Sequence, residues 1–164
     1  MYGPPGAGKG TQATLLERKF NFIHVDTGLY IEGMVHSPEA KNDPILRRER
    51  INFDSGKLCT PSWTLKIIRE AVIRIGRAGF GLVFSGSPRT LYEAMGDTRN
   101  PGILPTLEKF YGKKRITVIF LNIRPQTTLR RNSRRLVCSV CGSPVLAHAK
   151  LSYCLFCAAP LRRR

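Results

Sequence analysis

The last third of the chain lacks acidic residues: none follows Glu108 in a sequence of 164 residues. The formal net charge is +16, from 27 basic and 11 acidic side chains, and most of the excess lies beyond residue 60. Such a basic segment is typical of proteins that bind nucleic acid. The basic residues are not interleaved with aromatic side chains on which bases could stack, so binding the phosphates of small nucleotides, or solvating the surface, explains them better.

Long apolar runs are also missing. No stretch is long enough to cross a membrane, and no segment resembles a signal peptide. We therefore expect a cytoplasmic protein without a membrane partner. The length and a hydrophobic content of 42% are enough for one main domain with a sizeable core.

A glycine-rich segment lies near the start, running from Gly3 to Thr11 as GPPGAGKGT. It matches the phosphate-binding pattern G-x-x-x-x-G-K, with the hydroxyl one place later than usual, at Thr11. Glycines let the backbone turn tightly and point several N–H groups at one anion, and the next helix adds the positive end of its dipole. The pattern predicts a nucleoside triphosphate site, rather than a plain turn, at Gly6, Ala7, Gly8, Lys9, Gly10 and Thr11.

Four of the 5 cysteines form two Cys-x-x-Cys pairs, Cys138 with Cys141 and Cys154 with Cys157. Paired thiolates of this spacing predict a structural, tetrahedral zinc site. Disulfides or free thiols are the alternatives, and disulfides are uncommon in a cytosolic enzyme. We interpret Cys59, the remaining cysteine, as a core or pocket residue rather than a nucleophile.

Apolar periodicity and breaker residues predict alternating helices and strands, and hence a layered α/β fold. The expected helices are Lys9–Phe20, Leu29–Val35, Ile45–Phe53, Pro61–Ala78, Thr90–Gly96, Ile103–Tyr111 and Pro125–Arg135. The expected strands are Phe22–Val25, Phe80–Ser85 and Arg115–Ile123, the last with the clearest pattern of a buried parallel strand.

Several segments together resemble the adenylate kinases and related nucleoside monophosphate kinases. The loop continues as Gly10-Thr11-Gln12-Ala13, and Gly86-Ser87-Pro88-Arg89-Thr90 is similar to the family's D-G-[FY]-P-R-T signature. Further segments of this kind are His24–Gly28, Ser55–Leu58, and Arg131 and Arg135 followed by Val137–Gly142. The motifs keep the family's order and cover nearly the whole chain.

The resemblance implies an α/β fold with a three-layer, P-loop parallel sheet. Residues 1–25 and 56–133 would form the core, 26–55 a helical insert that binds the monophosphate, and 134–164 a small zinc-binding lid. The family has a strand before the phosphate loop and a further segment after the lid. We therefore expect Met1 to be internal to a longer reading frame, preceded by a short buried strand.

The resemblance also implies an enzyme: a monomer that transfers a phosphoryl group from ATP to a nucleoside monophosphate, most often AMP, giving two ADP. ATP, Mg²⁺ and a structural Zn²⁺ are the implied cofactors. The implied catalytic residues are Lys9, Arg89, Arg131 and Arg135, and Arg131, Arg135 and Arg164 would also contact the triphosphate. The acceptor would contact Thr27, Lys57, Leu58, Cys59, Gly86, Ser87, Pro88, Arg89 and Glu93.

The chain departs from the family at several positions. Ser85 and Leu29 replace aspartates, so carboxylates that would help to position Mg²⁺ are missing. Glu32 replaces an arginine, for which Arg47, Arg48 or Arg50 could substitute. Glu93 replaces the glutamine that recognises adenine, and an ionised carboxylate accepts hydrogen bonds but does not donate them.

These departures leave two alternatives to the kinase open. The first is a catalytically impaired relic that binds nucleotides without turnover. The second is a basic zinc-ribbon protein that binds nucleic acid. The kinase is preferred because the gaps between the motifs are also of the family's kind.

Overall fold

A computed structural model describes residues 1–133, 135–140, 144–145, 151–155 and 157–163. The chain forms two compact units. Met1–Tyr2 and Gly10–Ile119 make up the first, and Gly3–Lys9 with the chain from Phe120 onward makes up the second. No helix in the described ranges is long and apolar enough to cross a membrane.

The predicted helices are confirmed to within two residues at nearly every boundary. They are α1 (Lys9–Phe20), α2 (Thr27–Val35), α3 (Pro44–Asp54), α4 (Pro61–Arg77), α5 (Leu91–Met95), α6 (Ile103–Tyr111) and α7 (Pro125–Ser133). The strands are β1 (Ile23–Val25), β2 (Leu82–Phe84), β3 (Leu136–Cys138), β4 (Pro144–Val145) and β5 (Leu161–Arg163). Single 3₁₀ turns lie at Pro38–Lys41 and Lys113–Arg115. Helices and strands are mixed along the chain, and β1 and β2 are parallel, so the predicted α/β class is confirmed.

Strands β1 and β2 pair in parallel, with His24 opposite Val83. The chain continues this hydrogen bonding on the other side of β2. The N-terminal ammonium of Met1 donates to Phe84 O at 2.8 Å, and Tyr2 N–H donates to Ile119 O at 2.7 Å. Met1 and Tyr2 therefore link β2 to the segment 116–119.

The predicted strand Arg115–Ile123 is wrong. Lys113–Arg115 form a 3₁₀ turn, and residues 116–119 have no regular structure. A strand requires a neighbouring backbone along several residues, and in the described ranges this segment's neighbour is the two-residue stretch Met1–Tyr2. Val118 is accordingly 66% exposed instead of buried.

Helix α4 organises the core of the first unit. It begins at Pro61, whose missing N–H costs nothing at a helix start, and it packs most extensively against α6. Its buried positions recur every three or four residues and meet Ile103 and Leu107 of α6; they include Leu65, Ile68 and Val72.

The second unit contains the three-stranded antiparallel sheet β4-β3-β5, in which Val137 of β3 lies opposite Arg162 of β5. Helix α7 precedes this sheet. The N–H of Cys154 donates to Ala159 O at 2.8 Å, and that of Ser139 donates to Pro160 O at 3.0 Å. The second of these bonds joins Pro160 to the end of β3.

We predict that Ile68→Ala lowers the free energy of unfolding by about 2–5 kcal/mol, because it empties a fully buried site. Ile51→Ala on α3 is the matched control, since Ile51 is 71% exposed and should cost less than about 1 kcal/mol. Urea denaturation followed by circular dichroism measures both. Equal losses in the two variants would contradict this description of the core.

Candidate functional site

The phosphate loop, Gly3–Lys9, has the backbone that its glycines predict. Gly6 and Gly8 adopt φ angles of 78° and 93°, which side chains with a Cβ rarely adopt. Ala7 N–H donates to Pro4 O at 3.2 Å, closing a turn. A Cβ on Gly6 would also lie 3.3 Å from the Cβ of Arg131, so glycine permits the close approach of α7.

Two cations lie against this loop. Lys9 Nζ donates to Gly3 O at 2.7 Å and to Pro4 O at 3.0 Å. Arg131 Nη1 donates to Gly6 O at 3.0 Å, although 125 residues separate the two in sequence. Both belong to the second unit, so the structure brings together two of the predicted catalytic residues. Such a loop is suited to an anion with several negative charges.

The remaining predicted triphosphate ligands are Gly10, Thr11, Arg135 and Arg164. Gly10 and Thr11 occupy the first turn of α1, and Thr11 is exposed. Arg135 follows α7, and its N–H donates to Asn132 O at 3.2 Å. Arg164 lies outside the described residues.

The first unit contains a small cavity of about 30 Å³. We call it the Glu93 cavity, because a carboxylate that is only 4% exposed lines it. Predicted acceptor residues from three separate parts of the sequence meet here. The cavity is lined by Thr27, Gly28, Ile31, Phe53, Lys57, Leu58, Cys59, Thr64, Arg89 and Glu93.

Hydrogen bonds fix the side of this cavity formed by the segment 86–93. Arg89 N–H donates to Glu93 Oε2 at 2.7 Å, and Arg89 Nε donates to Gly86 O at 2.8 Å. The second bond sets the direction of the exposed guanidinium. Glu93 N–H donates to Thr90 Oγ1 at 3.0 Å, which caps α5 and holds the carboxylate at the helix start.

The start of α2 contacts the same segment. Thr27 Oγ1 donates to Ser87 Oγ at 2.9 Å, and both side chains are buried. A Cβ on Gly86 would lie 3.3 Å from the Cβ of Thr27, so glycine allows the two segments to approach. Pro88 follows Ser87 through a cis peptide bond. The predicted residues Thr27 and Gly86–Arg89 therefore form one connected group.

Cys59 is a buried thiol in this cavity. Burial raises its pKa, the nearby Glu49 carboxylate raises it further, and Arg89 offsets only part of the effect. The protonated thiol is therefore favoured at neutral pH. Because a nucleophilic cysteine requires a thiolate, these surroundings do not suit covalent chemistry.

Ser85 occupies a position at which the family resemblance implies an aspartate. The side-chain oxygen of Ser85 lies 2.7 Å from His24 Nε2, and His24 Nδ1 lies 3.4 Å from Thr14 Oγ1. Leu29, at the second position, is 40% exposed. Within the described ranges, the sole cluster of three or more potential metal ligands consists of cysteines.

Glu32 replaces an arginine that the resemblance implies, and three nearby arginines could substitute for it. Two of the three form ion pairs with acidic side chains. Arg48 pairs with Glu49 at 2.9 Å, and Arg50 pairs with Asp54 at 3.4 Å. No ion pair of Arg47 is found in the part of the chain that the structure describes.

The sulfur atoms of Cys138, Cys154 and Cys157 lie within 4.8 Å of one another in the second unit. Those of Cys138 and Cys157 are 3.4 Å apart, too far for a disulfide, and none of the four described cysteines is in a disulfide. Four sulfurs at about 2.3 Å from a zinc ion would be roughly 3.8 Å apart, so this spacing fits the ion. Val140 N–H also points at Cys138 Sγ, at 3.4 Å. Cys141, the predicted fourth ligand, lies outside the described residues.

The sequence does not single out Glu49, which is fully buried and accepts a hydrogen bond from the N–H of Thr60, the residue after Cys59 of the Glu93 cavity. A helical period would have indicated its position. Leu46 precedes it by three residues and Phe53 follows it by four, so a carboxylate lies on the apolar face of α3.

Comparisons with known proteins identify relatives of the chain. A family model described as "AAA domain" matches residues 2–136. Adenylate kinases from Methanothrix thermoacetophila and Paracoccus denitrificans are 33% and 30% identical over 144 and 142 residues. The one from Ruminiclostridium cellulolyticum is 27% identical over 146 residues. Each alignment covers 87% of this chain and 59–61% of the relative, so the chain spans about three fifths of the relatives' length.

The family model matches well over half of the chain, and the curated relatives are adenylate kinases. The chain therefore belongs to this AAA-domain family and is an adenylate kinase-like member of it.

Proposed function

We propose that the chain binds ATP at the phosphate loop and transfers its γ-phosphoryl group to a nucleoside monophosphate, with AMP as the acceptor. The observation that supports this best is the bond from Arg131 to Gly6 O, which brings a second cation to the loop that carries Lys9. Phosphoryl transfer needs such charge more than it needs a nucleophile. The adenylate kinases among the relatives point to the same chemistry.

In this proposal each group has a specific role. The amides of Gly6, Ala7, Gly8 and Gly10 and the Thr11 hydroxyl hold the donor phosphates, and Lys9 neutralises their charge. Arginine forks stabilise the transferring group through paired hydrogen bonds; we assign this to Arg89, Arg131, Arg135 and Arg164. The acceptor contacts Thr27, Lys57, Leu58, Cys59, Gly86, Ser87, Pro88, Arg89 and Glu93.

The reaction needs no side chain to form a covalent bond. An oxygen of the acceptor's phosphate forms the new bond to the γ-phosphorus of ATP. The bond from that phosphorus to the β–γ bridging oxygen breaks, and its electron pair leaves with ADP. Mg²⁺ bound with ATP would offset phosphate charge, and it would be held mainly by the nucleotide's phosphates and by water.

We further propose the division into core, monophosphate-binding insert at 26–55 and lid at 134–164. The lid would hold a structural zinc through Cys138, Cys141, Cys154 and Cys157, which leaves no open position for chemistry. The core would use the three-layer arrangement of the related kinases. A cytoplasmic monomer remains the expectation.

Binding without turnover is the second candidate. Ser85 favours it, because its side chain contacts His24 and offers no negative charge to a metal-bound water. This candidate keeps the phosphate loop as an ATP site and predicts no ADP beyond background.

We predict that Lys9→Ala lowers ADP production from ATP and AMP by about a hundredfold or more, since it removes a cation from the phosphates. Lys66→Ala is the matched control, because Lys66 is exposed on α4 and should leave the rate unchanged. A coupled assay for ADP measures both variants beside the unmodified chain.

If the unmodified chain makes ADP no faster than Lys9→Ala, the kinase proposal is wrong. Calorimetric titration with ATP then shows whether the chain binds ATP without turnover or does not bind it. Binding that Lys9→Ala abolishes would support the second candidate, and absence of binding would exclude both.

We predict that the purified chain carries about one zinc ion and that Cys154→Ser loses it, because three thiolates hold zinc less tightly than four. Cys59→Ser should keep the metal, since Cys59 belongs to the first unit. Elemental analysis after gel filtration measures the content. Equal zinc in the two variants would contradict the four-cysteine site.

A further inference from the structure

Glu49 is the most completely buried carboxylate in the described ranges, with no exposed surface. A carboxylate placed in the interior is costly unless hydrogen bonds replace its water. The proposed reaction does not use this group. Its contacts therefore indicate what the chain gains from burying it.

Each carboxylate oxygen of Glu49 accepts two hydrogen bonds. Oε1 accepts from Thr60 Oγ1 at 2.6 Å and from Arg48 Nε at 3.0 Å. Oε2 accepts from Thr60 N–H at 2.8 Å and from Asn52 Nδ2 at 3.4 Å. Burial raises the pKa of Glu49, but the bonds from Thr60, Arg48 and Asn52 outweigh it and leave the pKa below its usual value. The carboxylate thus stays ionised at neutral pH.

These bonds attach one short segment to α3. The segment Lys57–Thr60, which we call the strap, leaves α3 and enters α4. At its first residue, Lys57 N–H donates to Asn52 O at 2.9 Å. At its end, Thr60 gives both its N–H and its hydroxyl to Glu49, and Cys59 Sγ donates to Glu49 O at 3.7 Å.

The hydroxyl of Thr60 does not cap the helix that Thr60 precedes. Thr60 is the N-cap residue of α4, yet its side chain makes no capping bond to that helix. A threonine at this position normally accepts a hydrogen bond from the first turn, which stabilises the helix. Here the hydroxyl donates to Glu49 instead, so fixing the strap replaces capping the helix.

The strap is one wall of the Glu93 cavity, which Lys57, Leu58 and Cys59 line. We propose that Glu49 is a positioning residue that holds this wall, so that affinity for the acceptor nucleotide depends on a carboxylate behind the site. This inference rests on the proposed acceptor site. It assigns Glu49 no contact with substrate, because Glu49 acts through Thr60 and Cys59.

The test uses Glu49→Gln, which keeps the size of the side chain but sets an amide donor against the donors of Thr60. The variant leaves donors of Thr60 without an acceptor and removes the charged hydrogen bonds that hold the strap. The KM for AMP should therefore rise by roughly tenfold or more. The KM for ATP and kcat at saturating AMP should stay within about twofold. Asp54→Asn is the matched control on α3, because Asp54 pairs with His36 and Arg50 and is not one of the residues that line the cavity.

Thr60 variants keep the proposal testable if Glu49→Gln does not fold. Thr60→Val removes the hydroxyl and should raise the KM for AMP, whereas Thr60→Ser keeps the hydroxyl and should restore it. A lower melting temperature with an unchanged KM for AMP in Glu49→Gln and Thr60→Val would overturn the proposal and leave Glu49 a purely structural residue.

A measurement independent of turnover separates this inference from the proposed function. Cys59 is 8% exposed, so iodoacetamide should label it slowly, and mass spectrometry of its peptide follows the rate. Thr60→Val, which keeps the Glu49 carboxylate and its effect on the pKa of Cys59, should label roughly tenfold faster than Thr60→Ser because the strap is released. If no monophosphate is phosphorylated but this difference is found, the kinase proposal fails and the positioning role of Glu49 stands. If AMP is phosphorylated but KM and labelling match the control, only the inference fails.

Discussion

The parallel pairing of β1 with β2 is the constraint on which the site in the first unit depends. Parallel strands end at the same edge, so the segments that follow Val25 and Phe84 begin side by side. Thr27 therefore meets Ser87, and Arg89 and Glu93 close one side of the cavity. Glu49 accepts two hydrogen bonds from Thr60, at the end of the strap whose other residues also line the cavity.

The second unit brings two cations to one loop. Lys9 and Arg131 donate to backbone carbonyls of the phosphate loop, and these carbonyls carry only partial charges. A loop with cations beside it is suited to phosphates. No acidic residue follows Glu108 in the sequence, so the segment that contains α7 is basic.

The sequence predicts well those elements whose formation depends on neighbouring residues in the chain. The helices from α1 to α7 follow from apolar spacing and from capping residues such as Asp26 and Asp43, whose carboxylates accept from the first turns of α2 and α3. The phosphate loop follows from its glycines. The strand at Arg115–Ile123 was wrong because strand formation depends on a neighbouring backbone, which the apolar run itself does not reveal. Glu49 was missed for a related reason: its partners at Thr60 become visible only when the chain returns to α3.

The central claim is that a phosphoryl group passes from a nucleotide bound at the phosphate loop to a second nucleotide. The direct measurement supplies AMP together with ATP labelled at its γ-phosphorus, and follows the label by chromatography. The account predicts that the label appears in the β-phosphate of ADP, at a rate that depends on AMP. Label that remains in ATP, or that appears only as inorganic phosphate, would contradict it.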